Sequence, residues 1–267
     1  MSKSIEEGKL ISIADFKARR NFLRLSAVVG TGFLFSSCSG PTRPADNTPV
    51  ATITPGSNND EDQDNDNVGA VEDLMREHGV LRRALLVYDF SARKLRSKPA
   101  DIPPDALQNT AKLFRAFGED YHETKLEEAF IFPAVKKTEG SAVPLVDILL
   151  VQHQRGREIT DYILSTTQGT KFSAANSEQL AKALDSFVLM YQHHTAREDT
   201  ILFPAWKKAM TDDELDDMGE KFEEIERQQF GGDGFDDAVK QIGDIETEVG
   251  IADISQFTPP PMVKSNK

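Results

Sequence analysis

Apolar residues recur at alternating spacings of three and four from residue 68 onward, which places them on one face of an α-helix. The first helix is predicted from an apolar seam that includes Val71, Leu74, His78, Leu81, Leu85 and Tyr88. A polar loop ending in Pro103-Pro104-Asp105 then predicts the start of a second helix. Because no segment shows the alternation typical of a strand, we predict an all-α protein.

Three further seams predict helices two to four. The second helix runs to about Phe132, and its seam includes Leu113, Ala116, Glu123, Glu127 and Phe130. The third seam includes Val146, Leu149, His153, Gly156 and Ile163. The fourth seam includes Leu180, Leu184, Phe187, Tyr191, His194, Glu198 and Ile201. Two extra amphipathic helices, at 213–228 and 235–249, are predicted towards the C-terminus, with a glycine-rich turn between them.

Two segments of the chain are near-copies of each other. Residues 120–137 read DYHETKLEEAFIFPAVKK, and residues 191–208 read YQHHTAREDTILFPAWKK. Each copy is preceded by a helix that carries a histidine after a Glu or Gln, namely Glu77-His78 and Gln152-His153. Two such helix pairs predict an up-down four-helix bundle with pseudo-twofold symmetry.

Histidines and glutamates fall on the predicted apolar seams. His194 and Glu198 are four residues apart, as are Glu123 and Glu127, so each pair lies on one face of its helix. An ionised carboxylate on an apolar seam is costly unless it is paired or bound to a metal. Imidazole and carboxylate ligands together suit iron, manganese or zinc, and the duplication indicates a site for two metals.

Neighbouring residues on a helix point about 100° apart, so His193 and His194 do not both face inward, and the seam selects His194. The same test places Glu123 on the seam and His122 just off it. His122 and Glu127 are five residues apart, so a twist or a π-bulge is needed for both to reach one metal. We predict the following ligands: His78, His122, Glu123, Glu127, His153, His194 and Glu198.

Simpler interpretations exist for these residues. A single histidine on an apolar seam is more often a core residue than a ligand, and a bundle without metal would be an interaction module. The repetition on four helices favours the metal site. Tyr121, Tyr162 and Tyr191 are core rings, partners of the ligands or redox-active groups, and Trp206 is a packing residue.

The composition limits the kinds of binding partner and of covalent cross-link that the chain can have. The chain has 267 residues and a formal net charge of -13, which argues against a nucleic-acid partner because phosphate binding needs clustered Lys and Arg. The single cysteine, Cys38, excludes an internal disulfide.

The N-terminal region has the features of an export signal. Arginines at positions 19 and 20 precede a short apolar run at 25–35, which resembles a twin-arginine signal. Cys38 follows a lipobox-like triplet, so we expect an exported, periplasmic protein that a lipid at Cys38 anchors to a membrane. The alternative is an uncleaved tail with a free thiol.

These signals predict four regions along the chain. Residues 1–38 form the signal segment and residues 39–68 a disordered acidic linker. Residues 69–255 form the helical metal-binding domain, and residues 256–267 a disordered tail.

The residues from about 68 to 208 resemble the bacterial hemerythrin/HHE cation-binding family. The motifs that carry this resemblance are Glu77-His78, His122-Glu123 with Glu127, Gln152-His153 and His194 with Glu198, and each Glu precedes a Phe-Pro pair. The resemblance implies a four-helix bundle with two non-haem iron ions bridged by carboxylates, for which Glu127 and Glu198 are the candidates. Manganese and zinc are alternative metals.

The family resemblance also implies a function in dioxygen binding, in oxygen or iron sensing, or in peroxide and nitric-oxide chemistry. Oxygen carriers of the family use five histidines, whereas Glu123 stands here where a histidine is common. More carboxylate favours ferric iron and fills coordination positions. This favours iron handling, sensing or oxidase-type chemistry over reversible oxygen carriage. The expected function is that of an envelope protein that senses or carries dioxygen or iron, and the alternative is a di-iron oxidoreductase that reduces peroxide or oxygen.

Overall fold

The computed structural model describes residues 68–168, 172 and 174–262, which contain six helices and no strand. Four of the helices are continuous: α1 is Ala70–Ser97, α3 is Val143–Thr166, α5 is Asp212–Phe230 and α6 is Gly234–Val249. Helix α2 consists of Pro104–Leu113, Phe114–Ile131 and Phe132–Lys136, and α4 of Ala174–Arg197, Glu198–Leu202 and Phe203–Lys208. The prediction of an all-α protein is confirmed, although α2 ends at Lys136 rather than near Phe132.

Helices α1 to α4 form the bundle. The connections between them are short, and the six residues at 98–103 reach at most about 20 Å, whereas the 28 residues of α1 extend about 42 Å. Successive helices therefore run in opposite directions, as predicted. Helix α1 packs mainly against α4, and α3 packs against both α2 and α4.

A cluster of aromatic rings fills one end of the bundle interior. The ring of Phe187 lies 5.4 Å from Tyr88 and 4.5 Å from Tyr191, and Phe114 contacts both Phe187 and Tyr191 at 4.8 Å. All four rings are at most 1% exposed. Edge-to-face contacts of this kind add to the stability gained from burying the rings and fix how the helices are rotated.

Helices α2 and α4 each contain a π-helical segment, and each segment ends at a Phe-Pro pair. The N–H of Phe132 donates to the carbonyl of Glu127, and the N–H of Phe203 donates to that of Glu198, five residues back in both cases. A proline inside a helix has no N–H and clashes with the carbonyl four residues earlier, so a wider preceding turn is favoured. The predicted bulge between His122 and Glu127 is confirmed, because both lie inside the π-helical segment of α2.

Helices α5 and α6 pack on the outside of the bundle. A capping box between Thr211 and Glu214 starts α5, which ends at Gly231, and α6 ends at Gly250. Both glycines have positive φ values, 75° and 81°, which favour glycine over residues with a Cβ atom. Helix α6 packs against α1 and the start of α2, and α5 packs against α1 and the π-helical part of α2.

The described part of the chain has no helix with enough length and apolar character to cross a bilayer. The predicted signal segment, the lipid anchor at Cys38 and nearly all of the predicted acidic linker lie outside the described residues. The domain boundaries of the sequence analysis therefore remain predictions.

Candidate metal centre

Six buried side chains from the four bundle helices converge in the interior, on the side of Tyr191 away from Tyr88. They are His78 on α1, His122 and Glu127 on α2, His153 on α3, and His194 and Glu198 on α4. None of them is more than 2% exposed. All six are among the ligands predicted from the sequence.

One histidine pair consists of His78 and His122, whose Nε2 atoms are 3.0 Å apart. Two nitrogen ligands at right angles on one ion, each at about 2.1 Å, are about 3.0 Å apart, so the pair has the spacing of neighbouring ligands. The lone pairs of two neutral imidazoles repel at this distance unless a proton or a cation lies between them. We call the place that these two atoms face position 1.

The second pair consists of His153 and His194, whose Nε2 atoms are 3.2 Å apart. We call the place that they face position 2. One ligand atom from each of these two histidines, from Glu127 and from Glu198 all lie within 4.8 Å of one another. At position 1, His78, His122 and Glu127 form an equivalent group of three.

The carboxylate of Glu127 lies between the two positions. Its Oε1 atom is 3.5 Å from Nε2 of His122, and its Oε2 atom is 3.4 Å from Nε2 of His153. Glu198 does the same from α4, with Oε1 at 3.0 Å from Nε2 of His194 and Oε2 at 3.5 Å from Nε2 of His78. Each carboxylate thus offers one oxygen to each position, which is the geometry of a bridge between two metal ions.

All four of these carboxylate oxygens are buried and have no hydrogen-bond partner among the described residues. An unsatisfied buried acceptor costs about 1–3 kcal/mol, and a charged one costs more. Two carboxylates of this kind beside four imidazole nitrogens form a donor set that fits two transition-metal cations. The residues therefore pass the chemical test for a two-metal centre.

The other ring nitrogen of each histidine is held by a neighbouring side chain. Nδ1 of His122 donates to Glu77 Oε2 at 2.6 Å, and the Tyr121 hydroxyl donates to Glu77 Oε1 at 3.1 Å. Nδ1 of His194 donates to Gln152 Oε1 at 2.9 Å. A hydrogen bond from Nδ1 fixes the tautomer, so that Nε2 keeps its lone pair for the centre.

The histidines of α1 and α3 are held by carboxylates that directly follow the bridging glutamates. Nδ1 of His78 pairs with Asp199 at 2.7 Å, and Arg82 contacts the other oxygen of Asp199. On the opposite side, Nδ1 of His153 pairs with Glu128 at 2.8 Å, and Arg157 donates to Glu128 at 2.6 Å. The two arrangements are equivalent by the pseudo-twofold symmetry.

The Phe-Pro phenylalanines also take part in this symmetry. Phe203 stacks on His78 with ring centroids 5.4 Å apart, and Phe132 stacks on His153 at 5.3 Å. Each imidazole of α1 and α3 is thus fixed by a carboxylate at its edge and by an aromatic ring on its face.

Glu123, the seventh predicted ligand, lies away from the Nε2 atoms. Its Oε1 accepts a hydrogen bond from the Tyr191 hydroxyl at 2.7 Å, and its Oε2 accepts one from Arg157 at 3.1 Å. The π-helical segment turns His122 inward, and its neighbour Glu123 points about 100° away from it. Its Oε2 atom lies 3.9 Å from His153 Nδ1, and Glu123, Glu128 and His153 form a third, separate group of possible ligand atoms, so the role of Glu123 as a ligand stays a prediction.

His193 is exposed and contacts Arg197, as expected from the seam that selected His194. Gly156 lies against Tyr191, because a Cβ atom at position 156 would overlap the Tyr191 hydroxyl. The close approach that the glycine permits is thus between α3 and a tyrosine of α4.

Without a metal, protons take part in the charge balance of the centre. Burial lowers the pKa of His122, but the carboxylates of Glu127 and Glu77 outweigh burial and hold it well above its ordinary value. Burial also opposes charging of His153, whereas Glu123 and then Glu127 raise its pKa, to about 10. Metal ions compete with these protons for the same nitrogen atoms.

Sequence reasoning identified neither the carboxylates behind His78 and His153 nor their arginines. A signal was present, since Glu128 and Asp199 occupy the same place in the gap-free alignment of the two copies. An arginine also follows each of these histidines by four residues, at 82 and 157. Residues that repeat in this way next to a ligand are candidates for its hydrogen-bond partner.

Comparison with known proteins agrees with this geometry. The chain is 40% identical over 247 residues to uncharacterized proteins of Mycobacterium bovis and Mycobacterium tuberculosis, which covers 90% of this chain and 91% of each relative. No solved structure matches it. The family model of the hemerythrin HHE cation binding domain matches residues 69–206 and 145–245. The chain, with its buried and duplicated histidine and glutamate cluster, therefore belongs to the hemerythrin HHE cation-binding family.

Proposed function

We propose that the helical domain binds two non-haem iron ions and uses them to sense or carry dioxygen or iron. His78 and His122 hold the ion at position 1, and His153 and His194 hold the ion at position 2. Glu127 and Glu198, each with one oxygen facing either position, would help to hold both ions. The observation that carries this proposal is the set of four buried carboxylate oxygens that lack a partner and face the histidine nitrogens.

The choice of iron rests on the ligand chemistry and on the family. Imidazole with carboxylate suits iron as well as manganese and zinc, whereas calcium prefers oxygen ligands alone. The family is described as cation-binding, and the six proposed ligands are imidazoles and carboxylates, with no thiolate to favour a soft metal. Elemental analysis of the purified chain separates iron from manganese and zinc.

The protein residues leave room for a small ligand. Two imidazole nitrogens and two carboxylate oxygens face each position, fewer than the six ligands of an octahedral ion. Because Glu123 stays with Tyr191 and Arg157, it does not fill a further coordination position. Iron bound in this way supplies open coordination positions and a reversible change of charge.

The burial of the centre restricts the size of this ligand. The six proposed ligands are at most 2% exposed, so a bulky substrate does not reach them in this conformation. Dioxygen, or a small relative of it, fits this restriction. The imidazoles are oriented by the partners of their Nδ1 atoms, which are Glu77, Gln152, Asp199 and Glu128. The stacked rings of Phe132 and Phe203 keep water away from two of these imidazoles.

A second candidate function is an oxidoreductase that reduces peroxide or dioxygen. The observation that favours it is the place of Tyr191, whose ring centroid is 5.3 Å from that of His194. Its hydroxyl is 2.7 Å from Glu123, which can accept the phenolic proton if the ring is oxidised by one electron. Burial raises the pKa of Tyr191 well above its ordinary value, so the ring stays protonated in its resting state.

The test begins with the iron content and the absorption spectrum of the purified full-length chain. Two irons per chain are expected, and a total content of transition metals near zero overturns the proposal in favour of an interaction module. The reduced protein is then mixed with dioxygen or with peroxide in a stopped-flow instrument. A stable spectrum that depends on oxygen supports binding, whereas repeated turnover with a reductant supports the oxidoreductase.

We also propose that the protein acts at the cell envelope. The support comes from the sequence alone, from the paired arginines at 19 and 20 and from Cys38. The twin-arginine route exports folded proteins, so the metal would be loaded before export. Fractionation of cells that express the chain, with Cys38→Ala as the comparison, tests both the export and the lipid anchor.

A further inference from the structure

The two metal positions differ in the side chains that form hydrogen bonds with the Nδ1 atoms of their histidines. At position 1, both Nδ1 atoms pair with carboxylates, His78 with Asp199 and His122 with Glu77. At position 2, His153 pairs with the carboxylate of Glu128, but His194 pairs with the neutral amide of Gln152. Glu77 and Gln152 are equivalent by the internal repeat, since each directly precedes a histidine of its half.

This difference changes how strongly the histidine Nε2 atoms bind a metal ion. A carboxylate that accepts the Nδ1 hydrogen bond draws the proton away from the ring and makes Nε2 a stronger donor to a cation. An amide oxygen draws the Nδ1 proton less strongly, because the amide carries no net charge, and Nε2 is then a weaker donor. Partners of this kind typically change metal affinity by about 10- to 100-fold. Glu77 is held in place by the hydroxyl of Tyr121, whereas no described residue makes an equivalent contact with Gln152 at position 2.

Other charged side chains also lie behind the two positions. Arg82 contacts Asp199 at position 1, and Arg157 contacts Glu128 at position 2. Glu123 adds a carboxylate at position 2, 3.9 Å from His153 Nδ1, which partly offsets the missing charge at Gln152. It accepts hydrogen bonds from Tyr191 and Arg157, however, and from neither imidazole of the pair. Arg82 is also the more exposed arginine, 43% against 23%, so water screens its charge more strongly.

The arrangement of ligand atoms favours position 2 slightly. Four atoms are already gathered there, whereas at position 1 the gathered group has three. The missing fourth atom, Oε2 of Glu198, is 3.5 Å from His78 Nε2 and has no other partner that would hold it back. A small rotation of this carboxylate completes position 1, so the difference between the hydrogen-bond partners Glu77 and Gln152 is the larger effect.

We propose that position 1 fills first and that Gln152 keeps position 2 the weaker site, from which the second ion exchanges. This inference rests on the proposed two-metal function and deepens it. Glu77 and Gln152 are positioning residues that act through His122 and His194. The population with two ions then follows the supply of metal, while the population with one ion persists, which suits a sensor of metal availability.

The test is a titration of the metal-free full-length chain with Zn²⁺, which has no redox chemistry, against a chromophoric chelator of known affinity. The wild type is expected to bind two ions in steps separated by about 10- to 100-fold. In Gln152→Glu the weaker step tightens by a similar factor, and in Glu77→Gln the tighter step weakens. Both variants therefore bring the two steps together, from opposite directions.

Matched controls come from the same helices. Gln154→Glu adds the same charge two residues away on the exposed face of α3, and Glu72→Gln removes one at the start of α1. Both controls keep two separate steps. Circular dichroism checks the fold, and each variant tests the inference without the other, so one unfolded variant does not prevent the test.

The outcomes distinguish this inference from the proposed function. Two equal steps in the wild type, or separate steps that persist in both Gln152→Glu and Glu77→Gln, overturn the inference and leave the two-metal centre intact. Binding of no Zn²⁺ by any form of the chain overturns the two-metal function itself.

Discussion

The most informative perturbation of the centre is Glu127→Gln, because one substitution then affects both metal positions. Glu127 offers Oε1 to the side of His122 and Oε2 to the side of His153. The amide keeps the volume of the side chain but removes its charge and one of its two oxygen ligands. His194→Ala, by contrast, removes a ligand from position 2 alone.

The size of the effect follows from the link between binding and folding. If one average dissociation constant is used for both positions, a free metal concentration of 100 times that value stabilises the fold by about 2.7 kcal/mol per ion, so two ions contribute about 5 kcal/mol. For a domain of 150–250 residues this raises Tm by about 10–20 °C. If Glu127→Gln weakens both positions by about 100-fold, each ion contributes only about 0.4 kcal/mol, and the shift falls to about 2–3 °C.

The assay is thermal unfolding followed by circular dichroism, with chelator and with metal at a fixed free concentration. His194→Ala is expected to lose about half of the shift, and Glu127→Gln most of it. Glu220→Gln, an exposed change on α5, keeps the full shift. If Glu127→Gln loses only as much as His194→Ala, Glu127 serves one ion and the bridging geometry is refuted.

Three further predictions concern residues around the centre. Asp199→Asn weakens metal binding by about 10- to 100-fold, because the hydrogen bond that orients His78 loses its charge; metal titration checks this, and unchanged affinity contradicts it. Gly156→Ala lowers stability by about 1–3 kcal/mol in urea unfolding, because the new methyl group displaces the Tyr191 hydroxyl; unchanged stability argues against the tight contact. Burial raises the pKa of Glu119 to about 7 against 4.5, although the hydrogen bond from Thr160 opposes it, so the wild type loses up to about 3 kcal/mol of stability as pH rises from 4.5 to 7. Glu119→Gln removes that loss, and equal pH profiles of metal-free wild type and variant refute it.

Much of the fold and of the candidate site could be predicted from local sequence patterns. The three- and four-residue spacing identified all four bundle helices and both C-terminal helices, because helix periodicity depends only on residues close in the chain. The duplicated segments indicated that two similar helix pairs form the bundle, related by pseudo-twofold symmetry. The five-residue gap from His122 to Glu127 required a wider turn, and the Phe-Pro pair that follows explains why the chain forms one.

The orientation of Glu123 could not be predicted from the local sequence pattern. A regular helical seam places Glu123 inside and His122 just outside, but the extra residue in the wider turn rotates the preceding part of α2. That rotation brings His122 to the centre and leaves Glu123 with Tyr191. The energy that favours it comes from contacts with other helices, which a one-dimensional pattern does not contain.

By itself the sequence determined the helices, the internal repeat and the residue types able to hold a cation, since these depend on spacing and on side-chain chemistry. Only the tertiary structure decided which carboxylates stand behind the histidines and hold their Nδ1 atoms. Asp199 and Glu128 meet their histidines across distances of 121 and 25 residues along the chain. Such partners are selected by how whole helices rotate and pack, and a shift of one residue along a helix exchanges an inward group for an outward one.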